Sequence, residues 1–87
     1  MAVQAELERA IHAVAPTAII DLELVNGRWS GMVVAGEFEE MTHLERQRLV
    51  LGRIRDDLGT QTERDLGMLF LYSPEEADAI DPDVLDD

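Results

Sequence analysis

Phe38-Glu-Glu-Met-Thr-His-Leu-Glu-Arg-Gln-Arg-Leu-Val-Leu-Gly-Arg-Ile-Arg-Asp-Asp-Leu58, closed by Gly59, is the longest uninterrupted helical pattern in the chain. It opens with a capping signature. Thr42 can accept from the first free backbone N–H groups, and Glu45, three residues on, can reach back to the cap. Gly59 supplies the residue that most easily takes a left-handed conformation at a helix end. Leu44, Val50, Leu51, Ile54 and Leu58 fall on one side of the helical wheel and predict the stripe that packs on the core. Four of the seven arginines also lie here, Arg46, Arg48, Arg53 and Arg55, in a chain without lysine.

On the N-terminal side, Val3, Leu7, Ala10, Ile11 and Val14 recur at helical spacing, which predicts a helix from about Ala2 to Val14, ended by Pro16. Residues 18–25 then switch to period two, with Ile20, Leu22 and Leu24 facing one way and Asp21 and Glu23 the other. That is the pattern of a half-buried strand. Asn26-Gly27 is a strong hairpin signal, because both central residues of such a turn need positive φ. A second strand follows from about Arg28 to Ala35. On the C-terminal side, Thr60 to Arg64 reads as a loop with room for one helical turn. Leu66 to Tyr72 is apolar on both faces and is expected to be the most buried strand. Ser73-Pro74-Glu75-Glu76 is a second helix start, with a cap, a proline at the first helical position and a glutamate at the third. That helix fades near Ile80, and 81–87 reads as a frayed acidic tail. The class is α+β, in the order α-β-β-α-(α)-β-α. An antiparallel hairpin and a crossover through the long helix give a three-stranded mixed sheet with helices on one face. Residues 1–80 form a single domain.

The totals narrow the function. A chain of 87 residues buries only about 60% of the surface its unfolded form exposes, which leaves little room for a deep substrate pocket. Seven basic residues against 19 acidic give a formal charge of −12, the wrong sign for non-specific nucleic-acid binding. With no cysteine there are no disulfides, thiolate metal sites or thiol nucleophiles. No apolar run is long enough to span a bilayer, and the N-terminus lacks the basic start of a signal peptide. The expectation is a cytoplasmic protein.

Two groups of residues carry a resemblance. Phe38, Met41, Arg46, Val50 and Leu51 match one run of the BolA family, and Tyr72-Ser73-Pro74-Glu75-Glu76 matches its Thr-Pro-x-Glu ending. Their separation and the element order also agree, over roughly Glu6 to Asp78. The chain therefore resembles a BolA-like protein, which implies a fold like a type II KH domain. It also implies partnership with monothiol glutaredoxins or other iron–sulfur assembly proteins, and in some members transcriptional regulation by DNA binding.

The departures bear on function. Family members place a cluster-ligating histidine eight residues before the Thr-Pro pair, where this chain has Asp65. The second family ligand, near the hairpin, falls at Arg28 to Ser30. A carboxylate is a poor substitute for imidazole on iron–sulfur iron, and Trp29 cannot ligate at all. Glu40 replaces the usual glycine and Ala77 the usual tryptophan. No cofactor is expected.

Other candidate sites are weaker. His12 and His43 sit on separate helices without ligand spacing, so no metal is expected. Thr42 and Ser73 are explained as caps, and neither has the neighbours of a nucleophile, so no catalytic residue is assigned. On the long helix, Arg46 and Arg53 frame Leu49 on a face turned away from the core, and this trio is the candidate protein contact. Arg46, Arg48 and Arg53 form the alternative nucleic-acid patch. The Gly-x-x-Gly grip of KH domains is missing, however. The combined reading is a non-enzymatic BolA-like adaptor that works by protein contact without cluster ligands of its own. A DNA-binding regulator and a module with an unrelated partner are the alternatives.

Overall fold

A computed structural model describes residues 4–79. The expected acidic tail and the ends of the flanking helices at Val3 and Ile80 lie outside the described residues. Helix α1 spans Gln4–Val14, strand β1 Ile19–Val25 and strand β2 Arg28–Val34. A 3₁₀ turn at Gly36–Phe38 leads to α2, His43–Leu58, followed by α3, Thr60–Arg64, β3, Leu66–Tyr72, and α4, Pro74–Ala79. The order and class match the sequence reading, and the loop after Gly59 does contain a helical turn.

Local chemistry accounts for these boundaries. Asn26 and Gly27 both have positive φ, 53° and 79°, so the hairpin closes in the two-residue turn that the right-handed twist of the strands favours. At Thr42 the complete capping box forms: its hydroxyl accepts from the Glu45 N–H, and the Glu45 carboxylate accepts from the Thr42 N–H. That backbone donor holds the Glu45 carboxyl below its ordinary pKa. Gly59 has the expected positive φ of 95°, but its ψ of 164° is extended, not left-handed helical. It turns the chain straight into α3 without a helical C-cap motif.

The sheet order is β1-β2-β3, with β1 antiparallel to β2 and β2 parallel to β3. One face carries Leu22, Trp29, Val33, Leu69 and Leu71, all buried in a single cluster with Leu7, Ala10 and Ile11 of α1 and Val50 and Ile54 of α2. The helices thus lie on one side, as expected for an α+β layer pair. Gly31 is needed here because the backbones come too close for a side chain: a Cβ would sit 1.9 Å from the Asp21 carbonyl oxygen.

Two expectations are corrected. Strand β3 is an edge strand, not the most buried one; β2 is central, and Met68 and Phe70 remain 64% and 45% exposed. The apolar run on both faces of β3 predicts cover on both sides, and the described chain covers only one. Leu44 leaves the core stripe and is 58% exposed. The buried line of α2 is Arg46, Val50 and Ile54, spaced by four, and Leu44 lies about 200° round the helix from Arg46.

Candidate functional site

The two stretches that the resemblance marks as ligand positions meet in space. Asp65 closes α3, and Trp29, the second residue of β2, lies beside it. The Trp29 N–H donates to the Asp65 carbonyl oxygen at 2.9 Å, which starts the parallel β2–β3 ladder. The backbone frame that would bring two ligands together is therefore present. The donors in it are different. The Asp65 carboxylate accepts from Gln61 Nε2 at 3.2 Å. The Trp29 side chain is buried in the core, and its Nε1 has no hydrogen-bond partner. Ser30 Oγ accepts from the Met68 N–H at 3.3 Å, and Arg28 is an exposed cation. A carboxylate, an indole, a hydroxyl and a guanidinium do not fit an iron–sulfur cluster, whose irons take thiolate or imidazole.

Arg46 is where the structure departs most from the expected contact face. It is 3% exposed. Its Nε donates to the carbonyl oxygens of Phe38 and Met41 at 3.0 and 3.1 Å, and one terminal nitrogen donates to Leu71 O at 3.0 Å and to the Glu76 carboxylate. The guanidinium carbon also lies 5.8 Å from the centre of the Phe38 ring, within cation–π range. One side chain therefore joins the 3₁₀ turn, α2, the end of β3 and the start of α4. Arg46, Leu49 and Arg53 do not form a shared exposed face, and Arg46 is unavailable to a phosphate. Sequence reasoning placed Arg46 outward because the helical wheel sets it with Leu49 and Arg53 on the side away from the Leu44, Leu51 and Leu58 stripe. The missed signal was its membership of the same i, i+4 row as Val50 and Ile54.

Glu76 completes this clamp. Its carboxylate accepts from the Ser73 N–H at 2.8 Å, and Ser73 Oγ accepts from the Glu76 N–H at 3.3 Å. The Ser73 donor, then Arg46, lower the Glu76 carboxyl to about 2. Ser73 is thus a cap. His43 Nε2 lies 3.7 Å from the same carboxylate on the exposed side, and His12 Nε2 lies 3.0 Å from the Ala18 carbonyl on α1's side of the fold. The two histidines do not converge, and no group of three or more His, Cys, Asp or Glu gathers among the described residues.

The remaining α2 arginines are peripheral. Arg53 pairs with Asp57 at 2.9 Å one turn on, and Arg55 lies 3.9 Å from Asp56. Leu49 is half-buried, and Arg48 is exposed. Each local pair reduces the field a phosphate would meet. No helix among the described residues is long and apolar enough to cross a membrane.

This arrangement, a three-stranded mixed sheet with helices on one face and a backbone joint between β2 and the start of β3, defines a two-layer α+β module. Among solved structures it is similar to a crystal structure of a Bol-like protein from Babesia bovis, with a TM-score of 0.67 and 19% identity, covering 91% of this chain and 93% of that one. It is also similar to the structure of a BolA protein homologue from Coxiella burnetii, with a TM-score of 0.59 and 25% identity, covering 90% of this chain and 99% of that one. The fold is BolA-like. No protein-family model matches the sequence, and no curated protein matches it.

Proposed function

We propose that this chain is a non-enzymatic, cytoplasmic adaptor that acts by protein contact in an iron–sulfur pathway, with a monothiol glutaredoxin or another assembly protein as partner. In this reading it contributes no cluster ligand. The observation that carries it is the Trp29–Asp65 joint. The positions where BolA-like proteins are expected to ligate are adjacent in this fold, yet the side chains there are a carboxylate and a buried indole. A module that keeps the frame and loses the ligands is suited to contacting a partner without taking over its metal. Two of the residues that carry the resemblance, Arg46 and Glu76, serve the fold through their mutual ion pair, so they do not compete for a functional role.

The test is to titrate the chain into a cluster-loaded monothiol glutaredoxin, following binding by calorimetry and the cluster by visible absorption. Binding with an unchanged cluster spectrum is the expected result. A changed spectrum that Asp65→Ala abolishes would overturn the proposal.

A further inference from the structure

Strand β3 is written as a strand covered on both faces, and the chain covers one. On the helix-free face, the register aligns Ile19 with Val34 and Tyr72 in one row, and Asp21 with Met32 and Phe70 in the next. Met68 stands one pleat further along β3. The Phe70 and Tyr72 rings stack with centroids 6.0 Å apart and planes 4° from parallel. Ile19, Met68 and Phe70 are among the most exposed large apolar side chains of the described residues. A solvated sheet face normally alternates apolar-in with polar-out. Here the polar outward residues are Asp21 and Glu23 of β1 and Arg28 and Ser30 of β2. Ile19, Met32, Val34, Met68, Phe70 and Tyr72 present apolar or aromatic carbon beside them, and contiguous apolar surface of this kind marks an interaction site.

The charges on this face indicate what would cover it. Asp21 and Glu23 line one wall of a shallow groove whose floor is Ser30 to Met32 and whose other wall is Met68 and Phe70. Neither carboxylate has an ion-pair partner among the described residues. Arg28, at the hairpin end of the same face, is the sole cation on it among the described residues. A second copy of the chain would set −12 against −12, which opposes association. An arginine or lysine fits better. Its aliphatic stem can lie along the methionines, its head can meet the carboxylates, and the Phe70–Tyr72 stack offers a cation–π surface. Two methionines let the groove adapt to side chains of different shape.

We propose that the helix-free face of the sheet is a docking surface for an extended partner segment that carries arginine or lysine next to apolar residues. The inference rests on the reading of the chain as a contact module, and not on the glutaredoxin assignment or on Asp65. The probe is a short synthetic peptide of alternating leucine and arginine, titrated into the isotope-labelled full chain and followed by amide chemical shifts. Shifts are expected along β1, β2 and β3 at Asp21, Met32, Met68 and Phe70, and the counterpart peptide with glutamate in place of arginine should produce none. Asp21→Asn and Glu23→Gln should each weaken the arginine peptide about two- to fivefold. Phe70→Ser should abolish binding with the helix signals unchanged, and Met68→Ser, at a more exposed position, serves if that variant fails to fold. Equal response to both peptides, shifts confined to α2, or a concentration-dependent dimer that Phe70→Ser dissolves would each overturn the inference. A cluster spectrum that responds to Asp65→Ala while the peptide still maps to the sheet would sink the claim that the chain contributes no cluster ligand and leave the docking surface standing.

Discussion

At position 46 a full positive charge is held almost out of water. Desolvating a guanidinium costs several kcal/mol unless its donors find acceptors, and here three backbone carbonyls and a carboxylate accept from Nε and one terminal nitrogen. The carbonyls of Phe38, Met41 and Leu71 sit at a 3₁₀ turn and a sheet edge, where fewer backbone partners are at hand. Removing the side chain leaves them without these donors. Arg46→Met is expected to lower stability by about 2–4 kcal/mol in urea unfolding, and Arg46→Lys is expected to rescue little, since one ammonium cannot copy the fork. A full rescue by lysine would contradict the clamp. Glu76 gives the clamp a pH signature. Its carboxyl is lowered to about 2 in the folded chain and titrates near the ordinary value of about 4.3 when unfolded. Its stabilising contribution is therefore complete above the unfolded value and is lost as pH falls through the interval toward 2. Thermal melts of Glu76→Gln should show a lower midpoint at neutral pH and a flatter decline across that acid interval than the wild type.

Elements show why some of the fold could be read in advance and some could not. The Thr42 box is local chemistry, and it formed as its residues dictate. Thr42→Ala is expected to cost about 1 kcal/mol, measured by denaturant midpoint. The Asn26-Gly27 turn is equally local. Gly31 is not: its need for glycine comes from the Asp21 carbonyl on the neighbouring strand, so Gly31→Ala should destabilise far more than an ordinary strand glycine replacement, by the same assay. Strand β3 misled the sequence reading for a physical reason. A strand's periodicity reports how much apolar surface it carries, whereas its place in the sheet depends on long-range pairing that periodicity does not encode. Arg46 misled it in the opposite direction, because a charged residue in the buried row of a helix breaks the binary pattern on which wheel arguments rely. Edge strand β3 is in turn protected by α2: Arg46 donates to the Leu71 carbonyl at 3.0 Å and Gln47 reaches the Leu69 carbonyl at 3.5 Å. Side chains that occupy outward carbonyls make the edge a poorer template for another strand. Available surface therefore lies on the open face and not along the edge.

For the whole molecule, the charge of −12 weighs against polyanionic partners. Nucleic-acid binding would have to work against that field with Arg48 as its one exposed, unpaired α2 arginine among the described residues. Arg48→Glu, and not a change at the structural Arg46, is the proper probe of the DNA alternative. Duplex DNA should give no salt-sensitive band shift with either the wild type or this variant, and a shift that Arg48→Glu removes would favour the regulator reading. A protein partner with a cationic surface faces no such penalty and is favoured at a distance.

The proposal that the chain supplies no cluster ligand is most directly examined by changing Asp65. Visible circular dichroism of a cluster-loaded monothiol glutaredoxin reads the cluster's immediate ligands, with the wild-type chain in one cell and Asp65→His in another. The wild type should bind and leave the spectrum as it was, whereas Asp65→His should alter it, because imidazole would then stand in a frame already joined to Trp29. A spectrum altered by the wild type, and altered no further by Asp65→His, would contradict the claim that this BolA-like fold contacts its partner without touching the metal.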